Sequence, residues 1–520
     1  MRRTIIAAVL VVAAWGSAGC GASFTPDPGH VENRDPRPLA SIYDAIVTVP
    51  GIAFPLLQAA GLSVDLTIEI DPGSLDPVTG AFTCVIEVNE VEVGGVARAF
   101  TAPSPLTCAG SAAGGDWSID SFGPIEIGSP SQGTTSVMLS LSGTLSSDGR
   151  AIDGAALVTS TGETGAFHAV KQRRYLVAAT DFGVTGTASL VKVRFNTTFV
   201  VERDLEAISG DPVARASGSG LYIVNRFFFD NIQTLDPGAG FRTALQFSTG
   251  NGSNPHDVLE VDPNRLYITR YEPPYNDILI AERGTGRYLG FIDLSPLALN
   301  ASGTPRADGM AAAAGLVFVG LQDIDGSFLE YGPGIVAAVD PAIDAVVASI
   351  TMQGRNPFGP PAIDPATGRL FYAMAGVFSG SLPRELSGGV EVVDPISLTT
   401  RGLLVDDDDL GGNVSSVAVV REGAAGAGYC VVTTTSGANV IRAFDPDTGA
   451  VRPGFIYQSA SLLPEVVADG DGYLLVPLHD IGDPRLVVLD AATGRIVAAP
   501  RLSLPPFSIA VLTRELAAPP

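Results

Sequence analysis

One short pattern recurs six times through the C-terminal two-thirds of this 520-residue chain. Each copy has an apolar run, a turn that opens on an acidic residue, and a second apolar run, as in VEVVDPISLT at residues 390–399. An Asp at such a turn accepts hydrogen bonds from backbone N–H groups two or three residues on, while Pro and Gly set the backbone angles. The pattern therefore predicts a β-hairpin in every copy. The turn residues are Asp236, Glu282, Asp340, Asp394, Asp445 and Asp490, spaced 45 to 58 residues apart.

A second hairpin lies ahead of each of these, for example at residues 258–269, 362–373 and 466–476. Each unit therefore contains four strands. Four strands of five or six residues, with their turns, require about 45–58 residues of chain. Solenoid coils are usually shorter, so the period favours the blades of a β-propeller.

The two ends of this region complete each other. Residues 175–180, 188–195 and 198–205 are three strand-like runs, one short of a blade, and residues 507–512 are a lone apolar strand near the C-terminus. We therefore expect seven blades across residues 175–513, with the last strand completing the first blade. Such closure leaves no long sheet edge exposed.

These residues resemble the units of YVTN-type and lactonase-like seven-bladed propellers of bacteria, which read roughly D-P-x-G-x-L-Y-V and then V-x-V-I-D-x-x-T-G-x-V. Residues 356–404 fit this pattern well, and the resemblance covers residues 175–513. It implies the fold more than an activity, because such propellers include hydrolases, isomerases and binding modules. Lactonase-like hydrolases hold a divalent metal in the channel with Glu, Asn and Asp. Asn254, Asn356 and Asn413 stand at comparable places, with Glu465 as the nearest Glu, although each residue could equally cap a loop.

The first 39 residues have the features of an export segment and a tether. Arg2 and Arg3 precede an apolar run at residues 5–15 and small residues, which is typical of a signal peptide over residues 1–19. The sequence SAGC at residues 17–20 resembles a bacterial lipobox, which would make Cys20 an acylated residue, with plain secretion as the alternative. Residues 20–39 contain four Pro and are expected to form a flexible tether.

Residues 40–170 are expected to form a separate small antiparallel β domain, either a β-barrel or a β-sandwich. Strand-like runs lie at 64–70, 82–91, 136–141 and 155–160, and the hairpin at 141–155 resembles those of small lipocalin-like barrels in bacterial lipoproteins. Residues 44–61 are expected to form one amphipathic helix. Cys84 and Cys108 are 24 residues apart and are expected to form a disulfide in an exported protein. Cys430, in an apolar run, is expected to be a buried inert thiol.

Composition excludes several functional classes. A hydrophobic fraction of 46% is too high for a disordered chain. The net charge of −24, with Lys171 and Lys192 as the only lysines, argues against nucleic-acid binding, because few cations can neutralise phosphates. An acidic protein is also repelled by anionic lipid, so any membrane attachment should come from acyl chains on Cys20.

The sequence contains few candidates for catalytic, ligand-binding or metal-binding residues. Of the four histidines, His256 follows Asn254 and Pro255 into the inner strand of a blade, where it can face the channel or stiffen the loop through a hydrogen bond. His479 is a weaker candidate, and His30 and His168 lie outside the propeller. Acidic clusters could hold Ca²⁺, although each provides only part of the six to eight oxygens required. They are Asp323 with Asp325, Asp469 with Asp471, and the run Asp406, Asp407, Asp408 and Asp409, which could equally be a solvated loop.

Together these features predict an all-β, exported, lipid-anchored protein of the bacterial cell envelope, attached to the outer membrane. We expect it to be a binding module for a small molecule or an envelope protein at the propeller face, with no nucleic-acid partner. The alternative is a metal-dependent, lactonase-like hydrolase using the central channel, and a structural envelope role remains open. No cofactor is certain, and Ca²⁺ or another divalent cation is the candidate.

Overall fold

The computed structural model describes residues 41–512 apart from 71–73, 75–80, 105, 114–115, 130–132, 147–150, 196–197, 378–385 and 423–424. The described chain forms two compact units. One contains residues up to 174 together with 191–200, and the other contains residues 175–190 and 201–511. Within the described ranges, no helix is both long enough and apolar enough to cross a membrane.

The first unit is an eight-stranded antiparallel barrel with two short accessory strands. The eight strands run in the order β2-β1-β10-β9-β8-β7-β6-β3, and pairing of β3 with β2 closes the sheet, while β4 pairs with β3 and β5 with β7. The strands are β1 (Ser41–Phe54), β2 (Ala59–Ile70), β3 (Ala81–Val93), β4 (Val96–Ala97), β5 (Phe100–Thr101), β6 (Leu106–Ala113), β7 (Asp116–Ser129), β8 (Gly133–Leu145), β9 (Ala151–Val158) and β10 (Thr164–Lys171).

The barrel interior is filled with apolar side chains. Trp117 lies between Phe82 and Phe167, with ring centroids 6.0 and 5.7 Å away. The expected helix at residues 44–61 is wrong, because this segment forms β1, a 3₁₀ turn at Pro55–Leu57 and the start of β2. Along β1, residues 45, 47 and 49 are buried while 46, 48 and 50 are exposed. That period of two places one face of a strand in the core and the other in solvent.

The cysteines of the barrel pair as expected. Cys84 in β3 lies opposite Cys108 in β6, with Cα atoms 4.9 Å apart, and the two form a disulfide. Cys430 is a buried free thiol in the other unit, and burial raises its pKa to about 12. It is therefore protonated and inert, as predicted. Cys20 and the proposed signal peptide and tether lie outside the described residues.

Seven four-stranded antiparallel sheets follow along the chain from Arg173 onward, which confirms the propeller. Each sheet is one blade, numbered in chain order. Blade 1 contains β11 (Arg173–Ala179), β12 (Thr185–Arg194), β13 (Thr198–Ser209) and the distant β38 (Pro506–Val511). The strands of blades 2 to 4 are β14 (Pro212–Ser217), β15 (Gly220–Asn225), β16 (Asn231–Asp236), β17 (Arg242–Ser248); β18 (Pro255–Asp262), β19 (Arg265–Arg270), β20 (Asp277–Glu282), β21 (Tyr288–Asp293); β22 (Ala307–Ala313), β23 (Leu316–Leu321), β24 (Ile335–Asp340) and β25 (Ala345–Thr351).

Blades 5 to 7 complete the ring. Two further 3₁₀ turns lie at Pro237–Ala239 and Ser295–Leu297, and one helical turn, α1, spans Asp407–Leu410. The remaining strands are β26 (Ala362–Ile363), β27 (Leu370–Met374), β28 (Gly389–Asp394), β29 (Thr399–Asp406); β30 (Gly412–Glu422), β31 (Ala425–Thr434), β32 (Asn439–Phe444), β33 (Tyr457–Ser459); β34 (Val467–Ala468), β35 (Tyr473–Leu478), β36 (Arg485–Asp490) and β37 (Ile496–Ala498).

The C-terminal strand closes the ring, as the sequence predicted. β38 pairs antiparallel with β11, so that Val511 lies opposite Tyr175 and Ile509 lies opposite Val177. β38 also contacts β14 of blade 2 and β35 of blade 7. The first blade is therefore built from two segments that lie almost 300 residues apart in sequence.

The acidic turns work as expected. Asp340 accepts the Ala342 N–H at 2.8 Å, and Asp445 accepts the Asp447 N–H at 2.8 Å. These backbone hydrogen bonds favour the charged carboxylate and hold the pKa of Asp445 below its ordinary value. The recurring Asp is therefore a structural residue of the hairpin.

Neighbouring blades are joined by hydrogen bonds between inner strands. At several described positions a side-chain oxygen of one inner strand accepts a backbone N–H of the next blade, and three of these pairs serve as examples. The pairs are Asp257 with Met310 at 2.7 Å, Ser416 with Val466 at 3.1 Å, and Ser508 with Ala214 at 3.2 Å. These contacts fix the relative height of the inner strands around the axis.

Candidate functional site

The inner strands of the blades enclose a central channel. β14 contacts β38 on one side and β18 on the other, and β18 contacts β22, so these strands stand next to one another around the axis. A cavity of about 400 Å³ lies along the channel, lined by residues 215–218, 257–260 and 310–312, with Pro360, Pro361 and Ile363. That volume falls within the range of ordinary small-molecule sites.

Arg215 and Asp257 line this cavity, and polar side chains from three blades are linked to them by contacts or by charge. We name the set the axial site, and its members are Arg215 of blade 2, His256 and Asp257 of blade 3, Asp308 of blade 4 and Glu465 of blade 7. Arg215 interacts electrostatically with the carboxylates of Asp257, Glu465 and Asp308, which places it among three other blades.

Arg215 and Asp257 form the ion pair beside the cavity. The Arg215 Nε donates to Asp257 Oδ1 at 2.5 Å. Asp257 Oδ1 also accepts the Val258 N–H at 2.8 Å, and Oδ2 accepts the Met310 N–H at 2.7 Å. Burial lowers the pKa of Arg215, but the Asp257 carboxylate and its hydrogen bond outweigh burial and raise that pKa above its ordinary value. The guanidinium is thus a fixed positive charge at the channel wall.

His256 belongs to a closed ring of polar contacts. Its Nδ1 lies 2.8 Å from Asp308 Oδ1, and Asp308 Oδ2 accepts the Gln322 Nε2 at 2.6 Å. The Tyr271 hydroxyl donates to Gln322 Oε1 at 2.6 Å, and the Tyr271 ring stacks on the imidazole with centroids 4.0 Å apart. These contacts hold the imidazole in one orientation.

Asp308 is the central residue of that ring. Its Oδ2 also accepts the Gly359 N–H of blade 5 at 2.9 Å. Burial raises the pKa of Asp308, but the hydrogen bond and charge of His256 and the Gly359 N–H together hold it below the ordinary value. Asp308 is therefore an anion that links three blades.

Glu465 is the least engaged carboxyl of the axial site. It is partly buried, and its Oε1 accepts the Ile509 N–H of β38 at 2.5 Å. Burial raises the pKa of Glu465 to about 7, although the positive charge of Arg215 opposes that rise. This carboxyl can therefore exchange a proton near neutral pH, a property common in functional sites.

The three candidate asparagines hold loops around the channel. Asn254 Oδ1 accepts the Phe227 N–H at 3.0 Å. Asn356 Nδ2 donates to the Gly376 carbonyl and Asn413 Nδ2 to the Ala375 carbonyl, each at 3.2 Å. All three side chains are buried. Each of the three side chains therefore forms a hydrogen bond with the backbone of a loop.

The acidic run at residues 406–409 forms a capped helical turn. Asp406 Oδ1 accepts the Asp408 N–H at 3.0 Å, and Asp407 Oδ2 accepts the Gly388 N–H at 3.0 Å. Asp407 is buried whereas Asp406, Asp408 and Asp409 are exposed, so the four carboxylates do not converge. Within the described ranges, no three side chains of His, Cys, Asp or Glu are grouped as ligands for a metal ion.

The other acidic pairs also bind backbone. Asp323 Oδ1 accepts the N–H groups of residues 299 and 300, and Asp325 Oδ1 accepts those of residues 329 and 330. Asp469 Oδ1 accepts the N–H groups of residues 471 and 473, as expected for a hairpin turn. Each carboxylate therefore shapes its own loop.

The other two described histidines, His168 and His479, have contacts of their own. His168 contacts Asp153 in the barrel, with Nδ1 and Oδ1 2.6 Å apart. His479 stacks on Phe182 with centroids 4.7 Å apart, and burial lowers its pKa. His30 is outside the described residues.

Sequence reasoning found His256 and Glu465 but missed Arg215, Asp257 and Asp308. A signal for Asp308 was present. When the blades are aligned on the residue that precedes the inner strand, His256 and Asp308 fall at the same position, two residues after Asn254 and Arg306. Arg215 gives no such signal, because its role depends on which blades surround the axis.

Comparisons with known proteins address the fold. No family model matches this chain, and no curated protein sequence does. Similar solved structures include the periplasmic gluconolactonase PpgL of Pseudomonas aeruginosa, with 16% identity and a TM-score of 0.48 over 66% of this chain and 99% of that one. Apo AztD from Citrobacter koseri has 11% identity and a TM-score of 0.37 over 70% of this chain and 94% of that one. Kuenenia stuttgartiensis hydrazine synthase has 15% identity and a TM-score of 0.42 over 63% of this chain and 94% of that one.

These likenesses supply no argument about activity. The identities are low, and the names of the three proteins differ. The seven-bladed architecture rests on the sheet topology itself. Membership of the YVTN-type or lactonase-like family stays a prediction from the sequence.

Proposed function

We propose that this protein is an exported β-propeller that binds a small molecule in its central channel. One observation carries the proposal. Arg215 and Asp257 line a cavity of about 400 Å³, and the charges of Asp308 and Glu465, from two further blades, act on Arg215. A mostly apolar cavity with a few fixed polar groups is the usual form of a ligand site.

Export and lipid anchoring are supported by the sequence. Residues 1–20 have the order of a lipoprotein signal, and the Cys84–Cys108 disulfide suits an oxidising compartment. A Cys20→Ser variant expressed in bacteria should lose incorporation of labelled palmitate and move from the membrane fraction to the soluble fraction. Unchanged fractionation and no palmitate on the unaltered protein would reject the anchor.

The channel is tested by filling it. Ala312 is exposed and lines the cavity, so Ala312→Trp should occupy that space without disturbing the core. Ala342→Trp, at an exposed turn between β24 and β25, is the matched control. A mixture of small acids, amides and amines is screened by saturation-transfer NMR. Binders seen with the unaltered protein and the control should be lost with Ala312→Trp; binders retained there would place binding elsewhere.

The hydrolase alternative is tested on the same preparations. It predicts turnover of lactones that depends on added Zn²⁺, Mn²⁺ or Ca²⁺. Ligand binding without any turnover under these conditions favours the binding module.

A further inference from the structure

Among the charged side chains that line the cavity, the hydrogen-bonding groups that the protein leaves unused are N–H donors. Three charged side chains line it: Arg215, Asp257 and Glu260. Both oxygens of Asp257 accept hydrogen bonds within the protein, as described above. Glu260 Oε2 lies 3.1 Å from Arg283 Nε and accepts the Ser219 N–H at 3.2 Å. Neither carboxylate has much capacity left for a ligand.

Arg215 is different. A guanidinium has five N–H donors. Only the Nε–H of Arg215 has an acceptor among the described residues, the Asp257 Oδ1. The side chain is 18% exposed and lines the cavity. A buried or half-buried donor without a partner costs free energy, which a ligand with suitable acceptors recovers.

We propose that Arg215 binds the carboxylate of a small organic acid whose apolar body occupies the cavity. This inference rests on the proposed function and specifies its ligand class. The planar fork of an Arg matches the two oxygens of a carboxylate. The apolar body is accommodated by Ala312, Pro360 and Ile363, which line the same cavity and are exposed or partly exposed.

A cationic ligand is the weaker candidate because the two carboxylates that line the cavity already accept hydrogen bonds within the protein. A ligand amine would need an unengaged carboxylate in the cavity wall, and both Asp257 and Glu260 are engaged. Asp308 and Glu465 act on Arg215 electrostatically and reduce its net attraction for an anion. The informative comparison is therefore between an acid and its neutral amide, which differ in charge but not in shape.

The test uses the full-length protein with benzoate, benzamide and benzylamine as probes. Met310 borders the cavity and its N–H binds Asp257 Oδ2, so methyl labelling of the five methionines reports on binding next to Arg215, with Met310→Leu assigning its signal. Benzoate should shift the Met310 methyl signal and bind at least about 10-fold more tightly than benzamide, since charge-assisted hydrogen bonds are roughly twice as strong as neutral ones. Benzylamine should not bind.

Two variants distinguish the contribution of the planar Arg215 guanidinium from that of its positive charge. Arg215→Lys keeps a cation beside Asp257 but removes the planar fork, and it should weaken benzoate binding at least about 10-fold. Arg242→Met, at an exposed arginine of blade 2, should leave benzoate binding unchanged. The Met310 signal of the unaltered protein keeps the test valid even if Arg215→Lys does not fold.

The outcomes distinguish the two proposals. Equal binding of benzamide and benzoate, or binding of benzylamine, would overturn the carboxylate assignment while leaving channel binding intact. A Met310 signal unmoved by all three probes would also overturn it. If the broader NMR screen then finds no binder that Ala312→Trp removes, the proposed function fails as well.

Discussion

Asp407 provides a quantitative test of the electrostatics of this fold. It opens α1 after the cap Asp406 and is fully buried. Its Oδ2 accepts the Gly388 N–H at 3.0 Å, whereas Oδ1 is buried and has no partner among the described residues. Burial, opposed by the Gly388 hydrogen bond and reinforced by the charges of Asp406 and Asp408, raises the pKa of Asp407 from 3.8 to about 7.

The expected effect of Asp407→Asn follows from that pKa. A carboxyl whose pKa rises from 3.8 to about 7 is less favourable as the anion in the folded state by about 4 kcal/mol. The amide removes this penalty, but its NH₂ group replaces an oxygen at a place without an acceptor, which costs about 1–2 kcal/mol. We therefore expect Asp407→Asn to raise the free energy of unfolding by about 2 kcal/mol at pH 8.

The gain disappears at low pH. Because the folded-state pKa of Asp407 lies above its unfolded value, the stability it contributes is complete below about pH 4 and is lost as pH rises to about 7. At pH 5 only the unfolded carboxyl is ionised, so about 1.6 kcal/mol of the penalty remains, the amide cost offsets it, and the variant should be about as stable as the unaltered protein. Urea denaturation at pH 5 and pH 8 measures both differences.

The exposed neighbour Asp408 supplies the control. Asp408→Asn changes the same net charge in the same turn and should alter stability by less than about 0.5 kcal/mol at either pH. An Asp407→Asn variant that is less stable than the unaltered protein at pH 8, or whose effect does not change between the two pH values, would refute the reasoning.

Because Asp406 and Asp407 bind backbone N–H groups, we also expect Ca²⁺ to leave the urea midpoint unchanged, and a Ca²⁺-dependent increase would support a metal site at residues 406–409.

Other parts of the structure give further expectations. Ile509→Ala in β38 should lower the free energy of unfolding by about 2–4 kcal/mol because Ile509 is buried, whereas Val200→Ala in the outer strand of the same sheet should cost less than about 1 kcal/mol. Equal effects in urea denaturation would contradict closure of the ring by β38. Replacing Cys84 and Cys108 by Ala should destabilise the barrel by about 3 kcal/mol, as measured by its urea midpoint. Asp490→Ala should cost about 1 kcal/mol at pH 7. The cost should shrink at pH 3, since hydrogen bonds from Thr493 lower the pKa of Asp490 and its contribution is lost as pH falls.

The propeller could be predicted from the sequence because its signals are local. Each hairpin has a turn whose sequence can be recognised. At Asp394, for example, the side chain accepts the N–H groups of Ile396 and Ser397, so residues close in sequence determine the turn. The closing strand was recognisable because residues 507–512 lacked a hairpin partner nearby. The start of the barrel was misread, since the apolar residues of 44–61 fit two periods and only tertiary pairing with β2 and β10 selects the strand.

The axial site was only partly predictable. His256 and Glu465 stand near the starts of inner strands and could be proposed as channel residues. Their chemistry depends on partners in other blades. Asp308 is 52 residues from His256, and Arg215 is 250 residues from Glu465. Such partners are brought together by the order of blades around the axis, which no local pattern records.

The pairing of β38 with β11 has a consequence for how the protein is made. Blades 2 to 7 are each contiguous in the chain and can form as they leave the ribosome. Blade 1 must wait for residues 506–511, which are translated after all the others in the propeller. A premature stop codon just before Pro506 would therefore produce a polypeptide with more than nine-tenths of the sequence and an open ring. Closure of the ring thus depends on the codons for residues 506–511.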